Sequence, residues 1–316
     1  MATITLNARR VRAAVSMTEA VDAVREALLD LDGGAFEQPG RTALGDGRFL
    51  VMAAHHRPTE SAMVKTLSLN FERTPAIVGT VTWTDTRSAH QVVADAGSVT
   101  SLRTGAIVGV ATDLLAPAEA GRMVLIGAGG QAADQIRAVR AVRTLRTLTL
   151  VNRDVGKAAR LLDSLGDELN GIGAVRVAAF GSAAGDAALA AADIVCCATS
   201  ATTPLFAADV LSDRVHVNAV GSYRPAMREL PAALLADATV VVDQKEAALE
   251  EAGEVIHALR AGLLDESALL ELGALLRRGV PALKARTVFK TVGIAAQDWA
   301  IARVLAAKAL PEDPEG

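Results

Sequence analysis

One stretch of this 316-residue chain carries residue types at spacings that do recognisable chemistry. It reads Met123-Val-Leu-Ile126, then Gly127-Ala128-Gly129-Gly130-Gln131-Ala132, then a run with Ile136, Val139 and Val142 in helical phase. An apolar strand that feeds Gly-x-Gly-x-x-Ala and opens a helix is a dinucleotide-binding pattern. Gly127 permits the tight turn, Gly129 lets a pyrophosphate approach the backbone, and Ala132 lets helix and strand pack closely. The free N–H groups at the positive end of the helix receive the diphosphate. A glycine triplet alone is weak, but a second apolar run, Thr147-Leu-Thr-Leu-Val151, follows at the distance of a βαβ unit.

The end of that second run bears on which dinucleotide is taken. An acid there holds the ribose 2′-hydroxyl of NAD, whereas an Arg accommodates the 2′-phosphate of NADP. Asn152-Arg153 therefore favours NADP(H), with NAD(H) as the alternative. Asp154 would repel a phosphate unless its side chain turns away to cap the helix expected over 155–165. Thr199 follows the apolar Ile194–Ala198 run, where a loop of such a sheet meets its cofactor; a helix cap is an equal reading. His55-His56 has no acids or cysteines at ligand spacing, so it reads as a surface loop and no metal site is expected.

Around these residues the chain must build two kinds of structure. Ser16-Met-Thr-Glu19 is a capping box that opens an amphipathic helix through Val21, Val24 and Leu28, ended by Gly33-Gly34. Strand patterns follow at 48–52, 63–69 and 77–83, with Lys65 in the middle of an alternating run. Ser98-Val-Thr100 is expected to cap a helix carrying Leu102, Arg103 and Val110. From Gly121 strands and helices alternate at 123–126, 130–143, 147–151, 155–165 and 173–178, then at about 186–191, 194–198, 215–220 and 239–242. That rhythm implies a Rossmann-type, doubly wound α/β sheet. A last amphipathic helix, 294–310, returns to the first region, and the tail from Pro311 should be disordered. The expected division is residues 1–112 with 293–316 as a discontinuous α+β domain, and 113–292 as the dinucleotide domain.

Composition narrows the class. Charged residues are 22% and hydrophobic ones 51%, values of a globular protein with a substantial core. The formal charge of −4 provides no basic field, which argues against a nucleic-acid or anionic-membrane partner. No apolar run reaches membrane-spanning length, and the N-terminal residues lack the regions of a signal peptide. Cys196 and Cys197 are adjacent on an apolar strand, so neither a disulfide framework nor a zinc site is expected. A cytoplasmic enzyme fits these features.

Several islands together resemble the ornithine cyclodeaminase/mu-crystallin family: Leu102-Arg-Thr-Gly-Ala106, Gly127-Ala-Gly-Gly-Gln131, Ala219-Val-Gly-Ser-Tyr-Arg-Pro225 with Arg228-Glu-Leu230, and Thr287-Val-Phe-Lys-Thr-Val-Gly293. Their order and spacing extend the resemblance from about Met17 to Leu305. It implies a Rossmann domain and a discontinuous domain that supplies the substrate site and forms a homodimer. It also implies that Arg41, Lys65 and Arg103 bind a substrate carboxylate, with Lys65 and Arg103 the residues closest to the chemistry. A guanidinium fork with a lysine point charge suits that task, and an unpaired Lys on an inward strand face would be costly otherwise. Ala128, Gly130 and Gln131 join the cofactor set by the same resemblance. Val220, Gly221, Ser222, Lys290 and Thr291 match positions near the nicotinamide.

Two departures bear on the reaction. Cyclodeaminases of this family carry a catalytic Asp where this chain reads Gly221-Ser222-Tyr223-Arg224-Pro225, and Pro75-Ala76 falls near a substrate-binding Thr. Without a carboxylate to activate water and manage a leaving ammonia, cyclodeamination loses its means. The Ser-x-Arg-Pro form is that of the ketimine-reductase branch. The expectation is thus an NAD(P)H-dependent reductase of cyclic imino acids such as Δ1-pyrroline-2-carboxylate and Δ1-piperideine-2-carboxylate. The alternatives are a cyclodeaminase, an alanine dehydrogenase, or an NADPH-dependent small-ligand binding protein on the same scaffold.

Overall fold

The computed structural model describes residues 3–70, 72–73, 75–87 and 90–310; the tail expected to be disordered lies outside them. The chain divides into two compact units, Met1–Ile107 with Ile294–Gly316, and Val108–Gly293. The first division falls at 107/108, inside a helix, rather than at 112/113.

The first unit holds β1 (Thr3–Leu6), α1 (Ala8–Ala14), α2 (Met17–Asp32), β2 (Phe36–Glu37), β3 (Thr42–Leu44), β4 (Phe49–His56), β5 (Ser61–Leu69), β6 (Ile77–Asp85), β7 (Gln91–Asp95) and the start of α3 (Ala96–Leu115), with a C-terminal helix over Ala295–Ala309. Its sheet runs β1-β7-β6-β5-β4-β2, with β3 paired to β4. Successive side chains in a strand point to opposite faces. On β5 Ser61, Met63, Lys65, Leu67 and Leu69 are therefore buried, while Val64 and Thr66 are exposed. The C-terminal helix packs on α2 and on β5 and β6. The capping box is present in full: Ser16 accepts from the Glu19 N–H, and the Glu19 carboxylate accepts from the Ser16 N–H.

Two local expectations fail here. Ser98 and Thr100 lie inside α3, whose first turn is held by Asp95 accepting from the Ser98 N–H at 2.7 Å. An acid one residue before the helix offers the stronger acceptor. His55-His56 is the end of β4 and not a surface loop. His56 is buried, with ring nitrogens 2.8 Å from Thr59 Oγ1 and 3.2 Å from Asp30 Oδ2, and it packs against Phe36 and Trp299. Burial lowers its pKa, and the nearby Asp30 opposes that.

The second unit holds β8 (Arg122–Ile126), α4 (Ala132–Val142), β9 (Thr147–Asn152), α5 (Val155–Leu165), β10 (Ala174–Ala179), α6 (Ala183–Ala190), β11 (Ile194–Cys197), β12 (His216–Ala219), α7 (Ala232–Asp237), β13 (Thr239–Val242), α8 (Lys245–Glu251), α9 (Gly253–Arg260), β14 (Leu270–Glu271), α10 (Leu272–Arg278) and β15 (Thr287–Lys290). Its strands run β10-β9-β8-β11-β12-β15-β13-β14, every pair parallel. Helices on both faces demand apolar residues at nearly every strand position, as in Ile194–Cys197, where all four are buried. The strand order reverses between β8 and β11. Open sheets of this kind take their ligands in the crevice beyond the strand ends at that point.

Candidate functional site

The glycine turn sits at this reversal. Gly127 leaves β8 with φ +107°, a conformation L-residues rarely adopt, and an added Cβ would lie 2.5 Å from the Ala198 carbonyl oxygen at the end of β11. Gly129 and Gly130 differ: a Cβ on Gly129 would come no closer than 4.0 Å to Ala198 O, and one on Gly130 would meet nothing within 4 Å. The protein itself leaves these two positions open. Their lack of side chains makes room for something else at the N-terminus of α4, where backbone N–H groups and the helix dipole favour an anion. Ala128 is buried, and Gln131 occupies the position before α4 without a side-chain cap bond.

Beyond β9, Asn152 fastens the turn. Its Oδ1 accepts from the Ala128 N–H at 3.3 Å and its Nδ2 donates to Asp154 O at 2.8 Å. Asp154 caps α5 by accepting from the Lys157 N–H at 2.9 Å, so its carboxylate is turned to the helix. Arg153 is exposed between them, its guanidinium 5.8 Å from the centre of the Phe180 ring.

The loops after β11 and β12 are tied together by a carboxylate that sequence reasoning left without a role. Glu229, fully buried, accepts from the Thr199 N–H (2.7 Å), the Thr199 hydroxyl (2.8 Å) and the Gly221 N–H (2.7 Å). Burial raises its pKa, and the Lys290 charge and the Thr199 bonds act against that rise. The approach is so close that a Cβ on Gly221 would lie 2.0 Å from Thr199 O and 2.6 Å from the Glu229 carboxylate. Glu229 belongs to the Arg228-Glu-Leu230 island, the one available signal for it.

Of the remaining expected residues, Ser222, Lys290 and Thr291 are buried. Ser222 donates its hydroxyl to Glu254, and the Lys290 ammonium donates to Ser222 O at 2.5 Å and Ala219 O at 3.3 Å while facing Glu254 Oε1 at 3.4 Å. Thr291 gives its hydroxyl to Asp243 at 2.5 Å, and the same carboxylate oxygen accepts from the Gly293 N–H at 2.9 Å. Val220, half-buried, donates its N–H to Cys197 O. The glycine turn, Asn152, Arg153, Thr199, Val220 and Gly221 thus follow the carboxyl ends of four neighbouring parallel strands. The side chains of Ser222, Lys290 and Thr291 are engaged within the protein. Glu254 and Asp243 lie far from their partners in the chain, and nothing in their local sequence marks them.

The expected carboxylate binders lie in the first unit and meet around Lys65. This ammonium is 1% exposed and donates to Asp298 Oδ1 at 2.8 Å. Arg103, itself buried, donates Nη1 to Gln297 Oε1 at 2.9 Å and brings Nε within 3.5 Å of the same Asp298 oxygen. Burial draws the Lys65 pKa down to about 8; Asp298 opposes this, while the positive charges of Arg103 and Arg41 add to it. Arg41, half-buried, precedes β3. Lys65 faces inward and is paired there, with Asp298, a fully buried carboxylate 233 residues away. Its signal in the sequence is an acid within the apolar run Ile294–Ala302, matching a base within the apolar run of β5. Two cations, Lys65 and Arg103, thus face the Asp298 carboxylate, and the positive charge of Arg41 also acts on Lys65.

Among the described residues no three His, Cys, Asp or Glu side chains gather as a metal site requires, and no helix is long and apolar enough to cross a membrane. The chain is 33% identical to a Δ1-pyrroline-2-carboxylate reductase of Bacillus cereus, over 97% of each protein. Its fold matches the solved structure of Thermococcus litoralis Δ1-pyrroline-2-carboxylate reductase in complex with NADH and L-proline, with a TM-score of 0.88, 27% identity and 97% coverage of both chains. It also matches an archaeal alanine dehydrogenase dimer with bound NAD, with a TM-score of 0.87 and 26% identity over 97% of this chain and 96% of that one. The model of the ornithine cyclodeaminase/mu-crystallin family matches residues 1–312, and the chain belongs to that family.

Proposed function

We propose that this chain is an NAD(P)H-dependent reductase of cyclic imino acids, converting Δ1-pyrroline-2-carboxylate to L-proline and its six-membered homologue Δ1-piperideine-2-carboxylate to L-pipecolate. The observation that carries this reading is the buried Lys65 ammonium with Arg103 and Arg41 beside it, in a chain 33% identical to a Δ1-pyrroline-2-carboxylate reductase. Among the described residues the Lys65 ammonium makes one hydrogen bond, to Asp298, so donors remain for a ligand.

The geometry supports the following division of labour. The turn from Gly127 to Gln131 fits a dinucleotide diphosphate, because Gly129 and Gly130 hold open space in front of the N-terminus of α4. Asn152 fixes that turn and Arg153 meets the 2′-phosphate, so NADP(H) is preferred over NAD(H). Thr199, Val220 and Gly221 would border the nicotinamide; Glu229, Lys290 and the Ser222–Glu254 bond hold those loops, and Thr291 is tied to Asp243. When bound, a reduced nicotinamide supplies a hydride. Lys65, Arg103 and Arg41 would hold the substrate carboxylate and so fix the orientation of the neighbouring imine carbon, which lowers the barrier to its reduction. The imine takes up one hydride and one proton in all, and no water has to be activated.

The run Gly221–Pro225 contains no acid, which separates this reading from cyclodeamination. The chain works as a homodimer. Supporting this, Leu44 (53% exposed), Phe49 (52%), Val64 (44%) and Val78 (43%) lie on one side of the sheet β3–β6, opposite Lys65. A substrate panel tests the proposal: the two cyclic imino acids should oxidise NADPH. Ammonia released from ornithine, or NADH oxidised by pyruvate with ammonia but not by imino acids, would replace it with cyclodeamination or alanine dehydrogenation. NADPH retained unoxidised with every compound would leave a binding protein.

A further inference from the structure

Asp298 has no place in the proposed chemistry, yet its surroundings are unusual. It is a fully buried carboxylate in the C-terminal helix with only one oxygen in use. Oδ1 accepts from Lys65 at 2.8 Å and faces Arg103 Nε at 3.5 Å; Oδ2 is buried without a hydrogen-bond partner among the described residues. An unpaired buried carboxylate oxygen is unfavourable, so a merely structural ion pair would be expected to engage both. The neighbouring Gln297 takes Arg103 Nη1 at 2.9 Å. One turn of helix therefore grips both cations through consecutive side chains.

We propose that Asp298 is a positioning residue of the carboxylate clamp: it keeps Lys65 protonated and aimed, and with Gln297 it orients Arg103. The proposal rests on the reading of Lys65 and Arg103 as substrate-carboxylate binders. Burial removes water from Lys65, and the positive charges of Arg103 and Arg41 press it to give up its proton. A neutral amine would not attract a carboxylate. Asp298 supplies a negative charge that counters all three influences. Being an anion whose Oδ1 already accepts from Lys65 and faces Arg103, it acts on a carboxylate substrate through these two neighbours.

The sign of the pH effect follows. Lys65 is charged below its pKa of about 8 and loses the proton above it. Removing the Asp298 charge lowers that pKa, by about one to three pH units for an opposite charge at such a distance. Asp298→Asn should then bind substrate less well near pH 8, and the deficit should shrink as pH falls and Lys65 regains its proton.

The test uses the whole enzyme labelled with ε-13C-lysine. The chain has six lysines, and Lys65→Arg assigns the Lys65 signal. The expected midpoint is about 8 in the parent and about one to three pH units lower in Asp298→Asn. At pH 8 the variant should lose at least about fivefold in kcat/KM, mainly through KM, with NADPH affinity unchanged, and should approach the parent at lower pH. An unchanged Lys65 midpoint, or a deficit equal at every pH, overturns the proposal. Should Asp298→Asn not fold, the parent decides alone: a Lys65 midpoint below about 7 means burial and the arginines act unopposed, and Asp298 has no such role. If Lys65 titrates as expected but neither protein reduces an imino acid or binds L-proline, the control of Lys65 by Asp298 stands and the imino-acid reading falls.

Discussion

Arg153 lies exposed past the end of β9, and Asp154 beside it is occupied in capping α5. On the proposed reading a guanidinium in that place meets the 2′-phosphate that NADPH carries and NADH lacks. Arg153→Ala should weaken NADPH binding by roughly ten- to 150-fold, the equivalent of a charge-assisted hydrogen bond of about 1.5–3 kcal/mol. NADH binding should hardly change, and fluorescence titration of both cofactors measures the difference; equal losses would contradict the assignment. Arg103→Lys applies the same arithmetic to substrate. A point charge cannot reproduce a planar fork, so kcat/KM should fall by roughly ten- to 150-fold. NADPH affinity should stay constant, and turnover equal to the parent's would make Arg103 a structural helix residue. At this scale type and spacing, or a resemblance to family positions, single out the glycines, Asn152, Arg153 and the cations Arg41, Lys65 and Arg103 as candidates. Asp298, Glu229, Glu254 and Asp243 were not assigned, since a buried carboxylate is defined by partners that the fold brings from distant parts of the chain.

The elements that hold these residues divide according to how their burial is written in sequence. Parallel strands covered on both faces are short apolar runs bounded by turns, and β8, β9, β11, β12 and β13 were legible for that reason. The stretch 287–290 is just as buried, but its insertion between β12 and β13 depends on pairing rather than on local pattern. Helix α3 conceals itself differently: Ser98–Thr112 is buried on every side, so it shows no amphipathic stripe, and its cap lies one residue before its first turn. The turn from β8 to α4 yields a paired prediction. Gly127→Ala forces a side chain onto a positive φ and against Ala198 O, costing at least about 1–3 kcal/mol of stability from strain alone. Gly130→Ala meets open space, so the melting temperature should hold while NADPH binding weakens. Thermal denaturation and cofactor titration of both variants check this; a destabilised Gly130→Ala with normal NADPH affinity would mean the space serves the fold and not the cofactor.

For the molecule as a whole, the alternation of β5 writes two surfaces at once: one face buries Lys65 with Met63 and Leu67, and the other exposes Val64 among Phe49 and Val78. A sheet face with this much exposed apolar area is suited to a second copy of itself, and in a two-fold interface every substitution counts twice. Val64→Glu should therefore turn a dimer into a folded monomer, read by sedimentation equilibrium with circular dichroism as the check on folding. A parent that sediments as a monomer would remove the dimer from the account. The two-unit organisation was legible in the change from alternating strands to a strand–helix rhythm. Its boundary was not, because it falls inside α3, where the sequence has no break. The reaction itself is open to a stoichiometric measurement. Purified protein is mixed with NADPH and Δ1-pyrroline-2-carboxylate, and cofactor consumed is compared with L-proline formed. One L-proline should form for each NADPH oxidised, with no ammonia released; NADPH left intact, or consumed without proline appearing, would contradict imino-acid reduction.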